Sequence, residues 1–347
     1  MQYNLLMKKC IELARQAEGL TSPNPLVGCV ILDKDGNEIS TGYHRKYGDN
    51  HAERDALLKL HNGEETGGTL IVNLEPCSHY GKTPPCADLI IERGIKKVVI
   101  GMQDVNPIVA GNGIRKLKNA GIEVIENVLE DECKILNEVF IKNMTKNEVF
   151  VALKTATTLD GKIAAQNGSS KWITSDKARE EVKTIRNRYD AILTTSSTIL
   201  ADNPTMAHRK KIILDRELKT NLEAPIYKDG EIYLFNSSLD MFEGGINFIK
   251  TPVINEKLDL EFILKKAFDL GIKSILVESG GHLNGEILKY SDKIYHFIAP
   301  KITGDNSSLS CFDFRHIENI NESCNFKITN QEMFGSDILL TYYPISK

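Results

Sequence analysis

Apolar positions along the chain change period repeatedly, and the changes mark the elements. Leu5, Leu6, Cys10, Ile11, Leu13, Ala14 and Ala17 recur at helical spacing. The two prolines of "TSPNPLVG" then stop that helix. "VGCVIL", a turn at Asp35-Gly36 and "EISTGYH" predict a hairpin. "HAERDALLKL" reads as a short helix and "GGTLIVNLEPC" as a buried strand. "CADLIIERG" reads as a helix closed by Gly94 in the left-handed cap position. "IKKVVIGMQD" is a strand, and "GNGIRKLKNAGIEVIE" adds a helix and a strand. Alternating β and α units predict a three-layer α/β domain.

A helix over 130–142 runs into "KNMTKNE", which is polar and carries no core pattern. The domain boundary is placed there, giving 1–145 and 146–347. "VFVALKTATTLDGKIA" opens a second α/β series: helix 175–188, strands "YDAILTT", "KKIILD" and "EIYLFN", helix 258–270, strand "SILVES", helix 284–290 and strand "KIYHFIAP". "DILLTYYPI" reads as an edge strand.

Composition narrows the class. A chain of 347 residues exceeds what one core usually supports. The net charge of −4 argues against a broad nucleic-acid footprint, though not against a local pocket for one phosphate. Seven scattered cysteines, an odd number, do not form a disulfide framework. The amphipathic start is not a signal peptide, and no apolar run approaches membrane-spanning length. These features predict a cytoplasmic enzyme with neither a nucleic-acid nor a membrane partner.

The chemistry gathers at element ends. His51 and Glu53 open one helix, Cys77 follows a strand, and Cys86 opens the next helix. One imidazole and two thiolates make a three-ligand zinc set whose fourth position is open to water. Residues two apart on a helix point about 200° apart. His51 and Glu53 therefore converge only if the metal lies over the helix end. Two helix N-termini would then face the metal and favour thiolate and hydroxide. Glu53, which is not a ligand, can take a proton from zinc-activated water and pass it to a leaving amine. "HAE" and "EPC" match the zinc-deaminase signature H-x-E…P-C-x-x-C. Eight residues, "SHYGKTPP", separate the cysteines instead of two. A structural zinc site stays open as an alternative; it would need a fourth ligand, with His79 the close candidate.

With that insertion, "HAE" and "EPCSHYGKTPPC" resemble the bifunctional riboflavin-biosynthesis deaminase/reductase family. The resemblance extends to "SPNPLVGCVI", "GYH", "GMQDVNP" and "KTATTLDGKIA", and so to nearly the whole chain. Lys82 stands where arginine is common. The resemblance implies a cytidine-deaminase-like first domain and a dihydrofolate-reductase-like second one. It implies a phosphorylated diaminopyrimidinone substrate, deaminated at zinc and then reduced by NADPH from ribosyl to ribityl. It also implies a homo-oligomer. Asn24, His44, His79, Lys82, Asp104 and Asn106 would line the deaminase pocket. Asn and Asp can read both donor and acceptor edges of a pyrimidine.

Without the resemblance the second domain says little. "SILVESGGHLNGEIL" is a strand, a glycine pair and a helix, but not the dinucleotide fingerprint G-x-G-x-x-G. By resemblance, Gly280, Gly281, His282, Leu283, Asn284, Gly285 and Glu286 form the pyrophosphate-side turn. Ala156, Trp172, Thr198, Asp202 and Arg216 fall at other cofactor positions. Lys154, Ser170, Arg186, Met206, Arg209 and Glu278 fall at substrate positions, with Arg186 and Arg209 as a phosphate clamp. "ADNPTMAHR" departs from the family's commoner "ADDPxLTVR". A zinc deaminase with a non-catalytic nucleotide-binding second domain is the alternative.

Overall fold

The computed structural model describes residues 2–61, 63–79, 84–106, 110–313 and 316–345. The chain divides into two compact units, Met1–Asn147 and Glu148–Lys347.

In the first unit the amphipathic start forms α1 (Gln2–Arg15), which buries Met7, Cys10, Ile11 and Ala14 along one stripe. The hairpin is β1 (Gly28–Leu32) and β2 (Glu38–Tyr43). α2 (Ala52–Leu57), β3 (Thr69–Leu74), α3 (Cys86–Glu92), β4 (Lys97–Met102), α4 (Asn112–Asn119) and β5 (Glu123–Ile125) follow. The sheet order is β2-β1-β3-β4-β5. β1 is antiparallel to both neighbours, and β3, β4 and β5 are parallel.

Two glycines explain the helices on both faces. A Cβ on Gly28 would stand 2.0 Å from the Cys10 carbonyl oxygen in α1. A Cβ on Gly42 would stand 2.4 Å from the Ala52 carbonyl oxygen in α2. Gly42 pairs with Cys29, the neighbour of Gly28, and neighbouring positions on a strand face opposite sides. The two helices therefore press their backbones onto opposite faces of the sheet, giving three layers.

The helix expected over 130–142 is two helices, α5 (Glu130–Leu136) and α6 (Glu138–Lys146). The break is Asn137, whose side chain accepts from Leu26 N–H at 2.8 Å and donates to its carbonyl at 3.0 Å. The polar "KNMTKNE" stretch is helical as far as Lys146.

The second unit contains β6 (Phe150–Thr157), β7 (Lys162–Ala164), α7 (Asp176–Asn187), β8 (Ala191–Thr195), α8 (Ser196–Asp202), β9 (Lys210–Leu214) and β10 (Glu231–Asn236). It continues through β11 (Met241–Glu243), β12 (Ile246–Lys250), β13 (Val253–Ile254), β14 (Lys257–Leu258), α9 (Leu260–Asp269), β15 (Ser274–Val277) and α10 (Gly281–Ile287). β16 (Lys293–Ile298), β17 (Leu309–Ser310), β18 (Phe326–Phe334) and β19 (Asp337–Pro344) complete it. The main sheet runs β11-β12-β10-β9-β8-β15-β6-β16-β19-β18. From β12 to β16 all pairs are parallel. β8 and β15 are accordingly buried along nearly their whole length, since parallel strands are covered on both faces.

Two expectations are corrected. "DILLTYYPI" is not an edge, because β19 lies between β16 and β18. The edge is β18, exposed from residue 327 to 333, and its polar "KITNQEM" carries no strand-like apolar alternation. The helix expected over 284–290 starts earlier, at Gly281.

Candidate active site

The first site forms just beyond the end of β3, where α2 and α3 begin. His51 is the N-cap of α2 and makes no side-chain capping bond. Cys86 opens α3, and its backbone N–H donates to Cys77 Sγ at 3.3 Å. His51 Nδ1 stands 3.5 Å from both Cys77 Sγ and Cys86 Sγ, and the three ligand atoms lie within 4.8 Å of one another. Tetrahedral zinc with bonds of 2.0–2.3 Å has ligand-to-ligand edges of about 3.6 Å. The donor set therefore fits zinc in chemistry and spacing. His79 lies outside this cluster. Hydrogen bonding from Cys86, reinforced by His51, pulls the Cys77 thiol well down against its burial. The same bond and burial push Cys86 up. The pair thus holds one thiolate readily.

Glu53 is 3% exposed, and burial pushes its carboxyl up to about 7, with His51 opposing. It shares a cavity of about 200 Å³ with Asn24, His44, His51, Cys77, His79, Asp104 and Asn106. Lys82 lies outside the described residues. Burial pushes the His44 pKa down, so its ring is neutral. Its Nδ1 then donates to the Asn50 carbonyl at 3.0 Å, and Nε2 accepts from Asn24 at 3.1 Å. Burial pushes Asp104 up to about 6, although the Asn106 N–H donates to it at 2.8 Å. A neutral imidazole, an amide and a carboxyl poised near neutrality suit an uncharged heterocycle.

Sequence reasoning missed the residues behind this wall. Asn73, fully buried, accepts from Gly28 N–H at 2.7 Å and donates to the Leu26 carbonyl at 2.9 Å. Glu75 and Phe140 line the cavity. A signal was available, because Asn73, Glu75 and Cys77 alternate along an otherwise apolar run.

The second unit brings its expected residues only partly together. Glu278, 6% exposed, accepts from Arg186 Nε at 2.5 Å and Nη2 at 3.0 Å, and from Lys154 Nζ at 3.4 Å. Burial alone would raise its pKa, but the two cations outweigh that and hold it at about 2. Ser170 donates to Asp202 at 3.1 Å. Thr198 N–H donates to Thr195 Oγ1 at 3.3 Å, capping α8. Trp172 is 62% exposed, with the Arg179 guanidinium 4.2 Å over its ring, so it is not a core residue. Ala156 is half-buried on β6, and Arg209 is exposed.

Several placements differ from the expected contacts. Arg186 spends its fork on Glu278 rather than leaving it for a phosphate. Met206 is buried in the cluster with Ile199 and Ile213. Leu283 is also core. Asn284, fully buried, accepts from Ser279 and donates to the Cys311 carbonyl. Glu286 pairs with Lys257, and Arg216 with Glu217 and the Glu256 carbonyl. Gly285 is buried, His282 is exposed, and Gly280 and Gly281 are half-buried. At Gly280, the N-cap of α10, a Cβ would meet nothing within 4 Å, whereas at Gly281 it would stand 2.2 Å from the Ser310 carbonyl oxygen, so the turn is open only on the Gly280 side. The first N–H groups of a helix have no intrahelical acceptor, and this turn fits a nucleotide phosphate.

The first unit thus has the makings of a hydrolytic zinc deaminase, and the second has an α/β sheet with a glycine turn at the start of α10. Residues 1–102 match the cytidine and deoxycytidylate deaminase zinc-binding region, and residues 149–340 match the RibD C-terminal domain. The riboflavin biosynthesis protein RibD of Actinobacillus pleuropneumoniae is 40% identical, over 98% of this chain and 95% of its own length. That of Escherichia coli (strain K12) is 35% identical, over 98% and 99%. The crystal structure of a diaminohydroxyphosphoribosylaminopyrimidine deaminase/5-amino-6-(5-phosphoribosylamino)uracil reductase from Thermotoga maritima superposes with a TM-score of 0.89 at 40% identity, covering 99% of both chains. The chain belongs to the RibD family of bifunctional riboflavin-biosynthesis enzymes, with a zinc-binding deaminase domain and an NADPH-dependent reductase domain. Among the described residues no helix is long and apolar enough to cross a membrane.

Proposed function

We propose the following roles for this chain's residues in the family's two reactions. His51, Cys77 and Cys86 hold zinc, which when bound activates water as a Lewis acid. Glu53 accepts the water proton on its carboxylate and hands it to the exocyclic amine, which leaves as ammonia. Its pKa, raised by burial, suits a group that must both take and give a proton near neutrality. Asn24, His44, Asp104 and Asn106 hold the ring edge of the ribosylamino-diaminopyrimidinone phosphate. His79 lines the same cavity, and Lys82 is assigned to the substrate's phosphate or carbonyl oxygen by the family resemblance.

In the second unit NADPH supplies the hydride that converts the ring-opened ribosyl group to ribityl. Gly280, Gly281 and His282 offer backbone to its pyrophosphate. Ala156, Trp172, Thr198 and Asp202 flank the cofactor. Glu278 holds Lys154 and Arg186 in place, and Lys154 delivers the proton that accompanies hydride transfer. Ser170 orients Asp202, and Arg209 meets the substrate phosphate. Homo-oligomeric assembly is carried over from the family resemblance, and a cytoplasmic location from the odd, scattered cysteine set.

The observation that carries this reading is the His51 nitrogen 3.5 Å from two sulfurs, with buried Glu53 in the same cavity. The test supplies the diaminopyrimidine substrate with and without NADPH and identifies both products. Glu53→Gln should retain zinc and lower ammonia release by about 10²–10⁴-fold. Reduction of the deaminated intermediate should continue unchanged. Normal ammonia release from that variant would refute the role of Glu53.

A further inference from the structure

We propose that Glu75 is a positioning residue for deamination: its carboxylate fixes the segment bearing Asp104 and Asn106 against the strand end that carries Cys77. The inference rests on the deaminase reading above.

Asn73, Glu75 and Cys77 succeed one another at every second position, and in extended chain such positions share a face. Each holds something different. Asn73 fastens residues 26 and 28, just beyond Asn24. Cys77 belongs to the donor cluster. Glu75 lies between them, 3% exposed and without a salt bridge among the described residues.

Its two oxygens accept four backbone N–H groups instead. Oε2 takes Asp104 at 3.1 Å and Gly111 at 3.0 Å. Oε1 takes Gly113 at 2.9 Å and Ile114 at 3.1 Å. An ionised carboxylate has about four lone-pair sites, so the four N–H groups occupy its acceptor capacity and leave little for substrate. Its role is therefore geometric. The Asp104 bond secures one end of the connection from β4 to α4, and the other three secure its far end. Asp104 in turn accepts from Asn106 N–H. A chain of hydrogen bonds thus runs from Glu75, just past the end of β3, to both ring-edge residues. The backbone is built for the same approach, because a Cβ on Gly113 would stand 2.0 Å from the Pro76 carbonyl oxygen.

Glu75→Gln keeps the shape but replaces one acceptor oxygen with an NH₂ group facing two N–H donors. In the full-length, zinc-loaded chain, kcat/KM for deamination should fall by about 10²-fold, since misplacement by an ångström costs that much. The fall should lie mainly in KM. Zinc content and reduction of the deaminated intermediate should stay at wild-type values. Gly113→Ala, which pushes the same contact from the other side, should show the same KM-weighted pattern more weakly, and it decides the matter if Glu75→Gln does not fold. Deamination within twofold of wild type in these variants overturns the inference. So does an equal loss of both activities, or zinc loss that accounts for the whole fall. An unaltered chain that releases no ammonia would overturn the deaminase reading itself, whereas normal wild-type turnover with an unaffected Glu75→Gln overturns this inference alone.

Discussion

The two units differ in what they present to a small molecule. The deaminase unit concentrates its chemistry in uncommon side chains at element ends: an imidazole, two sulfurs and a buried carboxyl, at a cavity of about 200 Å³ lined by His51, Glu53 and Cys77. The reductase unit offers a glycine turn at the start of α10 and an ion cluster around Glu278. Metal and proton chemistry require particular side chains, whereas a cofactor held by backbone N–H groups requires mainly a path that avoids Cβ atoms. The contrast predicts that each unit can be disabled without the other.

The largest effect should come from removing the metal. Cys77→Ala, or stripping zinc with a strong chelator, should lower ammonia release by more than about 10³-fold, because the water loses its activation. Reduction of the deaminated intermediate, followed as NADPH oxidation, should stay within twofold of wild type. Parallel loss of both activities would break the division of labour.

Next comes Glu278. Glu278→Gln leaves Lys154 and Arg186 with no carboxylate between them, and breaking a buried pair of this kind costs about 3 kcal/mol or more. The pH dependence carries the same information. The carboxyl sits at about 2 in the folded unit against an ordinary glutamate value of 4.5. A depressed carboxylate stabilises the fold above its unfolded pKa. That stability, about 3 kcal/mol, is lost as pH falls from 4.5 towards 2. Urea unfolding of the reductase unit should show this acid slope in the wild type and lose most of it in Glu278→Gln. An unchanged slope in the variant would show that the cluster does not hold the carboxylate charged. Reductase activity should fall as well, while ammonia release persists.

These contrasts also mark how far the sequence could be read. Cys77 and Cys86 stood out because thiols after a strand and at a helix start have few other uses, and Glu53 stood out through its spacing from His51. Most main strands were visible from their apolar runs. β18 was not, because an edge strand exposed from 327 to 333 needs no apolar face. Asn137 was hidden because it breaks a helix to serve Leu26, more than a hundred residues away. Met206 and Asn284 matched family positions, yet their side chains went to packing and to the carbonyl of Cys311. A motif fixes residue types but not which way each one faces. Glu75 was missed for a different reason: its alternation with Asn73 and Cys77 was visible, but its partners are backbone groups, which that pattern does not name.

The smallest effect tests whether scaffold and metal site are joined. Gly42 has no positive φ requiring glycine, so alanine there would ordinarily stabilise by about 0.4–1 kcal/mol through the unfolded chain. Here the new Cβ would stand 2.4 Å from the Ala52 carbonyl oxygen and 2.5 Å from Ala56 N. Backbone atoms cannot swing aside as a flexible side chain can. Overpacking of this kind costs about 1–3 kcal/mol, so the clash should win, with a net loss of about 1–2 kcal/mol in the deaminase unit. The displaced element is α2, whose N-cap is His51. Gly42→Ala should therefore weaken zinc retention in a chelator competition along with stability, and leave NADPH oxidation untouched. If stability falls while zinc retention stays at wild-type strength, the donor cluster is held by Cys77 and Cys86 independently of how α2 seats on the sheet.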